Sequence, residues 1–394
     1  MSVQLLAPAG DFYDVALLLS DEGRRLLERL REFLRAEVAP VINDYWRREE
    51  FPHQLVPGLA ELGIAGLSYD GYGCAGGGTL LDGMVTMEVA AADSSIATFV
   101  GVHGHLAMGS IYLCGSEEQK QTWLPRMARF EKIGAFALTE PDVGSGVARG
   151  LGTTARRVGD AWVLNGRKRW IGNGTFADVI VVWARDEDDS QVKGFLVEKG
   201  TPGFSAEKMK NKIALRVVQN AELSFEECVV PESARLANAN SFQDTAAVLA
   251  MTRGLVAWQA TGCARGAFEL ALAYASEREQ FGRPIAHFQL VQDLLSRMAS
   301  NVTAAQCLVT RLAQLEDAGL ARPEQASLAK AFCTVRMRET VGWARELLGG
   351  NGILLDYDVG RFVADAEAIY SYEGTREINS LVVGRALTGQ SAFV

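Results

Sequence analysis

The chain has 394 residues, a net charge of −9, and is 48% hydrophobic and 22% charged, with 40 Gly and 10 Pro. This is the make-up of a folded globular protein of two or three domains at roughly 150 residues each. Its acidity excludes sequence-independent nucleic-acid binding, which needs a cationic face. Cys74, Cys114, Cys228, Cys263, Cys307 and Cys333 stand far apart, with no C-x-x-C and no His at metal-ligand spacing. They read as reduced, mostly buried thiols, and no metal site is expected.

The start, MSVQLLAPAGDFYD, has no basic n-region and does not read as a signal peptide. A soluble, cytoplasmic chain is expected. Up to about residue 133 the pattern is helical: Leu26, Leu27, Leu30, Phe33, Leu34 and Val38 recur at three- and four-residue steps behind Ser20-Asp21, and Pro40 ends the run. A second helical run covers Thr79 to Ala92. The stretch 94–116 carries no Lys, Arg, Asp or Glu. It contains His103 and His105 among Gly and Ser, and reads as a buried helix pair, or a helix plus turn, rather than a membrane span.

Between about 134 and 238 the period shortens. GAFALTE, AWVLNG, VIVVWA, KGFLVE and AELSFEECVV, broken by Asn165-Gly166, Asp160 and Pro202-Gly203, read as antiparallel sheet with tight turns. From about 239 the helical period returns. Leu290, Leu294, Leu295, Met298, Val302, Ala305, Val309 and Leu312 form one apolar stripe, and a further helix opens at Pro323 and stops before Gly349-Gly350. The expected organisation is α+β: an N-terminal helical domain (1–133), a central antiparallel, β-barrel-like domain (134–238) and a C-terminal four-helix bundle (239–394).

Gly71-Tyr72-Gly73-Cys74-Ala75-Gly76 fits G-x-G-x-x-G, but it follows a helical pattern rather than a strand and reads as a loop. Phe136 to Ser145 begins as a strand and ends in a Pro/Gly/Ser loop able to line a flat polar ring, or is an ordinary strand exit. Trp170, after a hairpin at Asn165-Gly166, is a stacking platform or core. Arg278, Phe281 and Gln289 gather a cation, an aromatic and an amide at a helix–helix turn. Glu373, between Tyr372 and Gly374, faces a helix dipole or is a carboxylate in an apolar pocket, where desolvation makes it a better base.

FALTEPDVGS, NGRKRWIGN, REQFGRPIAHFQ, ELLGGNGI and YEGTREINSLVVGRALTG occur here in one order. In that order and spacing the chain resembles the acyl-CoA dehydrogenase/oxidase superfamily over essentially its whole length. Within it, glutaryl-CoA dehydrogenases and the plant short-chain acyl-CoA oxidase are nearest, the latter through GYGC, CGSEEQK, RGLGTTA, KRWIGN, NSFQDT and VAWQ. The resemblance implies FAD, a homotetramer, an acyl-CoA substrate, and an electron-transfer flavoprotein or dioxygen as acceptor.

It further implies that Phe136, Leu138, Thr139, Gly144 and Ser145 border the flavin and that Trp170, Ile171 and Gly172 cover its ring. Arg278, Phe281, Gln289, Glu346, Leu347, Gly349 and Gly350 would grip the adenosine-diphosphate half, across a subunit interface. Thr375 would also touch FAD, while Ser145, Arg253 and Gly374 would contact the acyl-CoA. Glu373 takes the place of the family's base, removing the α-proton as hydride passes from the β-carbon to flavin N5. Other members carry the base on the residue before the Arg matched by Arg253; here that residue is Thr252. Ala97 stands where glutaryl-CoA dehydrogenases hold the distal carboxylate with Arg, which argues against glutaryl-CoA. Gly172 stands where many dehydrogenases have Thr, a feature shared with the plant oxidase, and Gly146 replaces a usual Asp. The expected reaction is dehydrogenation of a short-chain acyl-CoA. The alternatives are an oxidase, a glutaryl-CoA or carrier-protein thioester dehydrogenase, and a non-catalytic binding protein.

Overall fold

The computed structural model describes residues 10–392. Its first region is helical: α1 (Asp21–Phe33), α2 (Ala39–Arg48), α3 (Val56–Leu62), α4 (Gly78–Ala92), α5 (Ser94–Val100), α6 (Met108–Cys114) and α7 (Glu117–Ala128). Ser20 starts α1 because its Oγ accepts from the Gly23 N–H at 3.1 Å. Leu26, Leu27 and Leu30 then bury one face. Pro40 does not end the pattern. The backbone widens into a π-helical turn at Leu34–Val38, and Pro40 falls in the first turn of α2, where a missing N–H costs little.

The uncharged stretch is a single helix rather than a pair, since α5 runs through a second π-helical segment, Gly101–Ala107, into α6. This Ser94–Cys114 helix is long and apolar enough to cross a membrane, yet 72% of its most apolar window is buried inside the protein. The glycine-rich G-x-G-x-x-G lies in the loop between α3 and α4.

The middle region contains β1 (Gly134–Ala137), one helical turn α8 (Val147–Gly150), β2 (Thr154–Val158), β3 (Ala161–Ile171), β4 (Val179–Asp186), β5 (Val192–Glu198), β6 (Phe204–Lys208) and β7 (Ala221–Pro231). They form one sheet in the order β1-β4-β2-β3-β7-β6, with β5 also on β4. The sheet is mixed, not antiparallel throughout: β4 runs parallel to β1 and β2 and antiparallel to β5. The β2–β3 hairpin intervenes in sequence, so β4 returns beside β1 instead of pairing with its chain neighbour β3. VIVVWA explains the placement. It lacks alternation because both faces are covered: Val179, Val181 and Trp183 enter the core under the helices, and Ile180, Val182 and Ala184 enter the core of the sheet.

Asn165-Gly166 is not a hairpin turn either. It lies inside β3 at a bulge against β7, where Asn165 Oδ1 accepts from the Glu227 N–H (2.7 Å) and Asn165 Nδ2 donates to Glu227 Oε1 (2.7 Å). The β2–β3 turn is at Gly159-Asp160.

The last region has α9 (Phe242–Glu277), a small hairpin of β8 (Glu279–Gln280) and β9 (Arg283–Pro284), α10 (Gln289–Asp317), α11 (Pro323–Leu347), α12 (Val359–Ser371) and α13 (Arg376–Thr388). α9 is the axis: α10, α11 and α12 pack on it, and so does α4 from the first region. Gly262 and Gly266 allow α4 to cross closely, since a Cβ there would stand 2.3 Å from Met87 O and 2.2 Å from Ala91 O. Of the apolar stripe, Leu290 is 82% exposed, so it has little cover among the described residues. Of the cysteines, Cys307 is exposed.

Candidate active site

Glu373 sits in the short connection between α12 and α13. Its φ is +54° and that of Gly374 is +77°, so two left-handed residues follow one another. Such a conformation costs little for Gly374 and more for Glu373. Thr375 then caps α13, its Oγ1 accepting from the Ile378 N–H at 3.3 Å, so this hydroxyl has a structural task whatever else it touches.

The turn brings the half-buried Glu373 carboxylate against α9, where Thr252 Oγ1 donates to Oε2 at 3.0 Å. Burial pushes the Glu373 carboxyl above its ordinary range; the Thr252 hydroxyl and the Arg253 and Lys330 charges oppose this and do not cancel it. Arg253 itself is half-buried, and its Nε is buried without a hydrogen-bond partner. No acceptor for the Glu373 backbone N–H is found among the described residues.

Sequence reasoning missed the residues that support this turn. Lys330 Nζ, from α11, donates to Tyr370 O and Gly374 O at 2.8 Å each. Asn379 Nδ2, from α13, donates to Gly374 O (2.9 Å) and Thr375 O (3.0 Å). The Tyr372 hydroxyl donates to Gln259 Oε1, whose Nε2 donates to Thr98 Oγ1 (2.8 Å) and Ser94 O (3.1 Å). Ala97, buried on α5, lies beside this network. A signal was present for Lys330: it interrupts the buried face Ala326, Ala329, Cys333, Met337. On α9, Met251 and Leu255, which stand on either side of Thr252 in sequence, line a cavity of about 360 Å³ with Tyr69, Tyr112, His105, Glu316 and Arg322. Burial pushes Glu316 up to about 7.

The residues assigned to a flavin fall into two sets. In the first, the Arg169 N–H donates to Thr139 O (2.8 Å), so the strand exits at 137–145 and 170–172 lie side by side. Phe136 and Leu138 turn their side chains into the core, and Gly144 and Ser145 are exposed. Trp170, at φ +66°, is 55% exposed, while Ile171 and Gly172 are buried. A Cβ on Gly172 would meet Val102 Cγ2 at 3.0 Å, so valine occupies the space next to this position.

This set rests on a buried ion pair that sequence reasoning did not find. Lys168 Nζ donates to Glu140 Oε1 (2.9 Å) and Leu138 O (3.1 Å), and Glu140 accepts from the Gly152 and Thr153 N–H groups at 2.7 and 2.8 Å. An exposed indole beside exposed glycine and serine main chain fits a flat ring such as the flavin's.

The second set is Arg278, Phe281, Gln289, Glu346, Leu347, Gly349 and Gly350. It lies at the far ends of α9 and α11, with Phe281 92% exposed. Arg278, the C-cap of α9, lies 26 positions beyond Thr252, about 39 Å along the helix. Arg278 therefore stands far from the Glu373–Thr252 pair within one chain.

Matches to family models and to a solved relative make this a flavin-dependent oxidoreductase acting on acyl thioesters, with FAD as its cofactor. The family descriptions "Acyl-CoA dehydrogenase" N-terminal, middle and C-terminal domain match residues 20–131, 135–228 and 242–388. The chain belongs to the acyl-CoA dehydrogenase family. An acryloyl-CoA reductase (NADH) of Anaerotignum propionicum is 36% identical over 93% of this chain and 94% of its own length. A short-chain-specific acyl-CoA dehydrogenase of Clostridium acetobutylicum is 35% identical over 93% and 97%. A glutaryl-CoA dehydrogenase of Mycobacterium smegmatis, solved in complex with FADH2, superposes with a TM-score of 0.94 at 38% identity, covering 98% of this chain and all of that one.

Proposed function

We propose that this chain oxidises a short-chain acyl-CoA between its α and β carbons to the trans-2-enoyl thioester, with Glu373 as the base. The observation that supports this most is the half-buried carboxylate on a left-handed turn, bonded to Thr252 and raised above the usual carboxylate range. A thioester α-proton is weakly acidic, and a base tuned toward working pH removes it better than an ordinary surface carboxylate. The Glu373 N–H is available to the thioester oxygen, where a donor stabilises the charge that develops as the proton leaves. When bound, FAD supplies the acceptor for the hydride from the β-carbon.

Main chain at Phe136, Leu138, Thr139, Gly144 and Ser145, with Trp170, Ile171, Gly172 and Thr375, would hold the flavin half. The second set, from Arg278 to Gly350, would serve the adenosine-diphosphate half of a flavin in another copy, as in a homotetramer. The uncovered Phe281 and Leu290 support that reading. Ser145, Arg253 and Gly374 would meet the CoA thioester, with the aromatic-walled cavity beside Met251 as its approach. Ala97, Thr98 and Gln259 offer no cation, which favours an uncharged acyl group over glutaryl. An electron-transfer flavoprotein is the acceptor in this reading. Gly172, backed only by the apolar Val102, favours a second reading, reoxidation by dioxygen.

Turnover with a dye acceptor tests the proposal. Butyryl-CoA should be oxidised in preference to octanoyl- and glutaryl-CoA, and preference for glutaryl-CoA would overturn the substrate assignment.

A further inference from the structure

Lys330 is fully buried, and among the described residues no carboxylate comes within ion-pair distance of it. An ammonium in that position is costly, and an apolar side chain would suit its face of α11 better. Bundle packing therefore does not account for it. Its bonds do. They reach Tyr370 O and Gly374 O, on either side of Tyr372-Glu373. Asn379 grips Gly374 O a second time and Thr375 O besides. A non-glycine residue in the left-handed region persists where its surroundings over-determine it, and here five carbonyl contacts from two helices do so, one of them from Asn379 Nδ2 to Glu373 O itself at 3.4 Å.

We propose that Lys330, seconded by Asn379, is a positioning residue for Glu373: it pins the carbonyls that frame the left-handed turn and so fixes where the carboxylate stands. The inference rests on the reading of Glu373 as the base. Lys330 also faces Glu373 and Glu377 as a cation, with Arg253 as its like-charged neighbour, and burial lowers it to about 8. Glu373 in turn faces Thr252, Arg253, Lys330 and the Tyr372 phenol. Removing the Lys330 charge lets the Glu373 carboxyl rise further.

The test compares Lys330→Met, Asn379→Ala and Glu373→Gln in the flavin-loaded enzyme. Lys330→Met should lower kcat about 10- to 100-fold, as expected when a strained turn of a few kcal/mol relaxes. Its KM should change far less, and the acid limb of its pH profile should move up. Asn379→Ala removes carbonyl contacts but no charge, so kcat should fall while the limb stays in place. A Lys330→Met enzyme with full flavin and wild-type kcat and pH profile overturns the proposal. If that variant fails to fold or to hold flavin, Asn379→Ala decides, and wild-type kcat there overturns it. Turnover surviving in Glu373→Gln would instead remove the base assignment itself, which separates the two failures.

Discussion

Thr252 Oγ1 donates to Glu373 Oε2 at 3.0 Å, joining residues 121 apart in the chain. These are the two positions that the family resemblance offers for a base, and the fold places them in contact. One carries the carboxylate and the other a hydroxyl that bonds it. The arrangement orients the carboxylate toward α9 and tempers the effect of its burial.

Glu373→Gln should keep FAD and bind acyl-CoA while turnover falls by orders of magnitude, because an amide cannot take the proton. Its stability should not fall. A carboxyl whose folded pKa lies above the unfolded value penalises the fold once pH rises past the unfolded value, about 4.5. At pH 7 the variant should therefore melt at the wild-type temperature or above it, with the gap closing on acidification below about pH 4.5. Melting curves across pH check this.

Thr252→Val keeps the shape of the side chain and removes the bond to Oε2. A hydrogen bond to a charged group contributes about 1.5–3 kcal/mol, so without it Glu373 should lose its proton at a higher pH. The acid limb of kcat/KM should move up accordingly. An unmoved limb would show that Thr252 does not act on the base.

Lys168→Met should destabilise the chain by about 3–5 kcal/mol, because Glu140 is left as an uncompensated buried charge. The Lys168 charge and the Thr153 and Gly152 bonds hold Glu140 below its ordinary range despite burial. The stability this gives is therefore present above that range and lost as pH falls through it. Urea denaturation measures the loss. Flavin retention should drop with it, since Leu138 and Glu140 lead into the loop assigned to the ring.

Arg278→Ala should weaken FAD retention more than it alters α-proton abstraction. In this chain Arg278 is exposed and about 39 Å along α9 from Thr252, so its effect should require other copies of the chain. Flavin content after high dilution, read alongside oligomeric state, tests this. Full flavin in the diluted variant would remove Arg278 from the cofactor site.

Periodicity alone recovered the helix–sheet–helix order, α4 and α11; α11 buries one consistent face, whereas α4 is buried all round from Asp82 to Ala90. It failed where tertiary context overrides local pattern. Pro40 passes inside a helical path because a π-helical turn precedes it, and Asn165-Gly166 serves as a bulge because Glu227 receives it. The parallel pairing of β1 with β4 was not legible, since pairing order is not written in alternation. At the site, Glu373 and Gly374 were recognisable from motif resemblance. Lys330, Asn379 and Gln259 were not, because their partners are main-chain carbonyls or residues more than 100 positions away, apart from the local contacts of Asn379. Lys168 and Lys330, each charged on an otherwise buried face, were the traces such contacts leave in a sequence.

The most direct test is anaerobic titration of the yellow protein with butyryl-CoA, in the wild type and in Glu373→Gln, followed by air. Bleaching of the oxidised flavin band in the wild type and none in the variant is the predicted result. Slow recolouring in air would support a carrier flavoprotein as acceptor, and fast recolouring with stoichiometric peroxide would support dioxygen. Equal bleaching in both proteins would contradict Glu373 as the base, and bleaching in neither would contradict the short-chain acyl-CoA as substrate.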